Sequence, residues 1–227
     1  MKREIGEIWG EEASDKDEVV HVRRRQGRSI EKRNRILAAA AQEFAERGFD
    51  GASTRSIAER AGLRHALVIY HFETKLGIWQ AVMHYVINWY QEAFTQRLAG
   101  LHGVDDVTKL RLLQADFIRI GAQHPELHWL MSHEAGHGGE RLDWLLENVL
   151  KDSFRLFIDL ITAAQDAGRY IKGDPTHLHY LFLGAAARIF MLASEVEAMT
   201  GRSPFTPEFV EEHVEMCQAL FFRDPVN

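Results

Sequence analysis

Apolar residues recur at helical spacing from residue 36 almost to the end of the chain. Ile36, Leu37, Ala40, Ala41 and Phe44 form one stripe, with Ser29 ahead of it as an N-cap and Gly48 behind it. This predicts a first helix over about 30–47. Ile57, Ala58 and Ala61 share a face after Ser53 or Thr54, and Leu67, Val68 and Phe72 repeat the pattern beyond Gly62. Two short helices therefore meet at a turn where a residue tolerant of positive φ is needed. Phe49 and Leu63 complete their small core. Thr74 caps a long fourth helix from Lys75, in which Leu76, Trp79, Met83, Val86, Ile87, Tyr90, Phe94 and Leu98 fall at three- and four-residue steps.

Gly100 and Gly103 break that helix, and Asp105 or Asp106 starts the next, with Leu110, Leu113, Phe117 and Ile120 inward. Pro125 follows His124 at a further helix start, and Gly136, Gly138 and Gly139 interrupt the chain again. Residues 141–167 predict a long helix that buries Leu145, Leu146, Val149, Leu150, Phe154, Phe157, Ile158 and Ile161. A turn at Lys172-Gly173-Asp174-Pro175 leads to two closing helices, about 175–198 and 207–221. No useful stretch alternates with β period. The expectation is an all-α fold of about nine helices. Residues 1–28 form an arm, 29–75 a three-helix head, and 76–227 a body for effector binding and dimerisation.

Two short helices joined by a glycine-containing turn are the helix-turn-helix pattern, whose second helix usually enters the DNA major groove. Charge supports this. The chain carries a net charge of −6, yet residues 21–80 hold 12 basic and 6 acidic residues, net +6, while residues 81–227 are net −8. A basic segment on an acidic body suits a DNA-binding head. Arg23, Arg24, Arg25, Arg28, Lys32, Arg33 and Arg35 form a cationic run just ahead of it. That run is either a solvated charge stretch or an arm that follows phosphates or enters a minor groove. Residues 1–22, acidic and poor in apolar residues, read as mostly disordered and are not a signal peptide.

Apolar content of 46% is that of a globular protein, and the single cysteine, Cys217, rules out an internal disulfide framework. No apolar run is long enough to span a bilayer. The expected location is the bacterial cytoplasm, with no membrane partner and no cofactor.

Residues 53–72 read STRSIAERAGLRHALVIYHF. With Arg35-Ile36-Leu37-Ala38-Ala39-Ala40 and Phe44-Ala45-Glu46-Arg47-Gly48-Phe49 before them and Phe72-Glu73-Thr74-Lys75 after, they resemble the DNA-binding domain of TetR-family transcriptional regulators over residues 31–80. Asp174-Pro175-Thr176-His177-Leu178 and residues 195–201 are similar to the RutR-like, pyrimidine-responsive branch of that family. The resemblance implies a homodimer on a double-stranded, roughly palindromic operator. It also implies a small-molecule effector, bound in the body, that releases the repressor from DNA. DNA contacts then fall on Arg55, His65, Ala66, Ile69, Tyr70, His71 and Lys75, and Arg64 joins them on physical grounds. Arg55 can pair bidentately with guanine; Lys75 opens the fourth helix, where backbone N–H groups favour a phosphate. Arg64 stands where the family usually caps with Ser or Thr, and Ile69 where Tyr is frequent.

Apolar residues in the last two helices exceed what one chain obviously covers, in agreement with a dimer. The candidate effector pocket lies between the fourth helix and residues 141–167, with Tyr85, Trp89, Phe117, Trp129, His133 and Phe154 as its residues. One further motif competes. His133-Glu134-Ala135-Gly136-His137 fits H-E-x-x-H, in which two histidines one turn apart bind zinc and the glutamate is a general base. Glycines weaken the helix there, and Glu140 comes too soon for a third ligand. His124, His128, His133 and His137 are otherwise loop or surface histidines, or ligands of a metal or polar molecule. The rival readings are thus a zinc hydrolase, and a DNA-binding regulator without a small effector.

Overall fold

The computed structural model describes the backbone of residues 12–223, and the side chains of residues 29–85, 96, 97 and 99–223. Within them the chain is all-α. The head comprises α1 (Glu12–Gly51), α2 (Thr54–Arg60) and α3 (His65–Phe72). The body follows with α4 (Lys75–Ala99), α5 (Asp106–Gln123), α6 (Glu126–His137) and α7 (Glu140–Leu145). A π-helical turn, Leu146–Leu150, leads into α8 (Lys151–Asp166), and α9 (Pro175–Met191), α10 (Ala193–Thr200) and α11 (Pro207–Phe221) close the fold.

Local chemistry sets these boundaries. Ser53 caps α2 through a reciprocal pair: its hydroxyl accepts from the Ser56 N–H at 3.0 Å, and its own N–H donates to the Ser56 hydroxyl at 3.2 Å. Asp105, Asp174 and Thr206 cap α5, α9 and α11 in the same N-terminal role. Gly62 has φ +63, as the turn requires.

Three elements differ from expectation. Helix α1 begins at Glu12, well before Ser29. Between Glu12 and Gly48 the sequence holds no proline and one glycine, Gly27, whose cost of about 1 kcal/mol a long helix absorbs. Residues 1–11 of the expected arm, and the side chains of Arg23, Arg24, Arg25 and Arg28, lie outside the described residues. Second, the 141–167 helix contains the π turn. Its extra residue breaks the 3.6 register, so Leu145 and Val149 are buried while Leu146 is turned out. Third, the 175–198 helix breaks at Leu192 (φ −102, ψ 24), which separates α9 from α10.

The apolar interior forms two clusters. One contains the expected head stripe, Ile36, Leu37, Ala40, Ala41 and Phe44, with Ile57 and Val68. It does not stop at residue 75. Trp79, Val82 and Met83 of α4, Leu127 and Leu130 of α6, and Leu145 and Val149 belong to the same cluster. The other unites α5, α8, α9 and α11 through Leu113, Phe157, Ile161, Phe182, Val214 and Phe221. The head is therefore packed directly onto α4 and α6, a relation that shapes the site below.

Candidate nucleic-acid interface

Helix α3 buries Val68 and Phe72 against α1 and α2 and turns the rest of its surface out. His65, Ala66 and Tyr70 are exposed, Tyr70 by 80%, and Ile69 and His71 are half-buried. Arg64 occupies the N-cap position with no side-chain cap bond, which forgoes about 1 kcal/mol of capping, and its guanidinium has no partner among the described residues. Arg55, exposed in the first turn of α2, likewise has no partner among the described residues. His65 Nε2 and Thr54 Oγ1 share a hydrogen bond of 2.8 Å that joins the start of α3 to the start of α2.

Arg35, Arg60 and Arg33 of the head are engaged internally. Arg35 donates to the Ala61 carbonyl at 2.7 Å and closes the end of α2. A Cβ on Gly62 would lie 3.1 Å from that guanidinium, so the turn glycine also makes room for it. Arg60 pairs with Glu46 and with the buried Glu43, locking α2 to α1; its bond to Glu46 holds that carboxyl below its usual range. Arg33 lies over the Phe72 ring at 5.3 Å.

Lys75 departs from the expectation of a phosphate contact. Its ammonium donates to the carbonyls of Phe49 (2.8 Å), Ala52 (3.1 Å) and Asp50 (3.4 Å) and sits 4.5 Å from the Phe49 ring centroid. An ammonium has three protons, and these carbonyls take them. Lys75 thus satisfies the end of α1 instead of facing outward. Just before it, Glu73 has φ +60 and ψ −53, and Thr74 N–H donates to the Phe72 carbonyl at 2.6 Å. That is a tight γ-turn. A Cβ on Gly77 would lie 2.4 Å from the same carbonyl, so α4 approaches α3 as closely as only glycine allows.

The six expected effector residues are not brought to one wall. Tyr85 and Trp129 are exposed, His133 sits against Gly48 at the head, and Trp89 lies outside the described side chains. Phe117 packs on His128 and Phe182, each with centroids 5.7 Å apart, and Phe154 on His179 at 5.4 Å. The periodicity that selected these aromatics does not separate core from cavity. A surface cleft of about 410 Å³ lies instead between the α4–α5 turn and α8, lined by Leu101, His102, Asp106, Lys109, Leu156 and Leu160 among others.

Helix α6 runs unbroken through His137, contrary to the weakening expected from its glycines. The motif nonetheless does not assemble a catalytic site. Glu134 is buried, accepts the Trp79 indole N–H at 3.1 Å and pairs with Arg141 at 2.8 Å, so its carboxylate is not free to act on a water. His137 Nδ1 is bonded to the His133 carbonyl at 2.7 Å. His128 is buried against Phe117, and His124 bonds Glu126 at 3.2 Å. Among the described residues, no three histidine, cysteine or acidic side chains are placed to hold a metal ion.

Two short helices that cross at a glycine turn, with an outward face flanked by exposed arginines, define a helix-turn-helix DNA-binding protein with an all-α body. The family model for bacterial regulatory proteins, tetR family, matches residues 36–82, so the helix-turn-helix head is a DNA-binding domain of that type. The chain is 26% identical over 196 residues to the HTH-type transcriptional regulator RutR of Escherichia coli (strain K12), covering 83% of this chain and 88% of that protein. It is 33% identical over 82 residues to the regulator BetI of Yersinia pestis (strain Pestoides F), covering 36% and 41%. The fold matches HlyIIR, a hemolysin II transcriptional regulator, with TM-score 0.62 and 19% identity over 83% of this chain and 97% of that one. It also matches AibR, solved with isovaleryl coenzyme A and operator DNA, with TM-score 0.62 and 20% identity over 84% and 98%. Among the described residues no helix is long and apolar enough to cross a membrane.

Proposed function

We propose that this protein is a homodimeric repressor that reads a roughly palindromic operator with α3 and leaves it when a small molecule binds the body. The observation that carries the DNA reading is the outer face of α3: Arg64, His65, Ala66 and Tyr70 stand exposed beside Arg55, and neither arginine has a partner among the described residues. Ile69 and His71 border that face. Lys75 serves it indirectly, by fixing the α1–α2 corner. The site of action is the bacterial cytoplasm.

Two observations support the dimer and the effector. Tyr180, Leu181, Met216 and Leu220 are exposed on α9 and α11, an apolar face that a second copy would cover, in keeping with two half-sites read through a two-fold axis. Inside the body, His128 Nε2 and His179 Nδ1 are buried with no hydrogen-bond partner among the described residues. Each such atom costs about 1–3 kcal/mol. Burial lowers the pKa of both, so both are neutral, and their neighbours Phe117, Phe154 and Phe157 are uncharged. Their neutrality favours an uncharged effector over a charged one. To move occupancy from nearly full to nearly empty, the effector must favour the released state by about 5.5 kcal/mol.

Titration of labelled duplex DNA at several salt concentrations tests the DNA reading. Arg64→Ala and Arg55→Ala should each weaken binding, and where the lost contact is a phosphate the slope of log affinity against log salt falls by about one. Wild-type affinity retained in both variants refutes the assignment of this face.

A further inference from the structure

The segment from His133 to Arg141, whose zinc-site pattern forms no site, is placed where α6 and α7 touch the head. Gly48, the break in α1 (φ 65, ψ 177), is approached by His133: its Nδ1 lies 3.7 Å from where a Cβ on that glycine would stand. Two cations lie over the ring of Phe49, the next residue. Lys75 of α4 lies 4.5 Å from its ring centroid and Arg141 of α7 lies 4.3 Å from it. Arg141 is held by Glu134 Oε2, and Glu134 Oε1 holds the indole of Trp79, which meets Phe49 edge-on at 6.4 Å. Phe49, Lys75, Trp79, Glu134 and Arg141 thus close a ring of contacts through head, α4, α6 and α7.

We infer that Glu134 and Arg141 are positioning residues for DNA binding: they clamp the α1–α2 corner, through Phe49, at a fixed angle to the body. The head is joined to the body covalently through the Glu73 turn into α4 and by the shared apolar packing on α4 and α6. The clamp adds a polar link to that packing, so that the position of α6 bears on the head alongside that of α4. Gly138 and Gly139, both at positive φ (65 and 83) between α6 and α7, form the joint between the two clamp residues. A displacement of α6 within the body would pull Glu134 from Arg141 and release Phe49. Neither residue lies on the outer face of α3, so their effect is on geometry and not on phosphate contact.

This inference rests on the DNA reading above only for its consequence, and two readouts keep them apart. The first needs no DNA. In a Cys217→Ser background, spin labels on Arg64→Cys in the head and Glu215→Cys in α11, diluted with unlabelled chain, give the head-to-body distance distribution. Arg141→Met and Glu134→Gln should broaden it, and Arg141→Lys should keep it near the wild-type width. A wild-type distribution in Arg141→Met, with the fold intact by circular dichroism, overturns the clamp. The second readout compares duplexes whose half-sites differ by one base pair in separation. Arg141→Met should lose at least about fivefold of the preference for the best spacing while the salt slope stays unchanged. A salt slope reduced by about one would make Arg141 a phosphate contact and overturn the positioning role. Wild-type protein that binds no duplex would refute the DNA reading, and the distance distribution would still decide the clamp.

Discussion

The indole N–H of Trp79 meets the carboxylate of Glu134 at 3.1 Å, in an interior where Trp79 is fully buried and Glu134 nearly so. The donor stands one turn into the helix that leaves the head, and the acceptor stands near the end of α6. A buried carboxylate persists only when its lone pairs are used, and here the indole and Arg141 use them. Glu134→Ala should therefore destabilise the fold by about 3 kcal/mol, since it leaves a buried N–H and an unpaired guanidinium. Glu134→Gln keeps an acceptor for Trp79 and should cost less. Urea unfolding of the three proteins measures this, and equal midpoints would show that the pair carries no stability.

Lys75 and Arg64 should separate cleanly. Lys75→Ala strips a donor from three carbonyls at the end of α1 and should cost roughly 1–3 kcal/mol of stability. Its DNA affinity should fall without a change in salt slope. A slope lowered by about one in Lys75→Ala would instead return this lysine to the phosphate contacts.

Acid should weaken the fold through His128. Burial lowers its pKa from 6.5 to about 4. The unfolded chain therefore binds the extra proton first as pH falls, so the full contribution is present above pH 6.5, declines through that window, and is gone below about pH 4. The integrated loss is on the order of 3 kcal/mol. His179, lowered by burial in the same direction, adds to it. Stability measured against pH should be flatter in His128→Leu than in the wild type; parallel curves would mean that His128 is not buried neutral.

Leu181 and Met216 are each 61% exposed on the α9–α11 face. Leu181→Glu and Met216→Glu should shift sedimentation from dimer to monomer, while circular dichroism stays that of the wild type. Persistence of the dimer in both would place the interface elsewhere.

The head was legible in the sequence because its signals are local. The stripe from Ile36 to Phe44, the Ser53 cap and the Gly62 turn are all set by neighbours within a few residues. Relations across the chain were not legible. Lys75 reaches carbonyls 23 to 26 residues away, and Glu134 finds its partner 55 residues away. No spacing rule encodes such contacts, so Lys75 read as an outward cation, and the pattern from His133 to His137, although disfavoured as a zinc site, gave no hint of the role of Glu134. The π turn at Leu146 was hidden for a different reason. Its extra residue shifts the register without any change in composition. Effector aromatics were the least legible, since Phe117 and Phe154 have the same spacing whether they line a cavity or fill a core. Thr54 was missed as the partner of His65 because the bond exists only once α2 and α3 have crossed.

Selection of duplexes from a random-sequence library by the purified wild-type protein tests operator recognition most directly. The enriched pool should converge on an inverted repeat with half-sites about one helical turn or slightly more apart, and Arg55→Ala together with Arg64→Ala should abolish the enrichment. A pool that stays random, or one that converges equally well without those arginines, would contradict a dimeric reader working through α3.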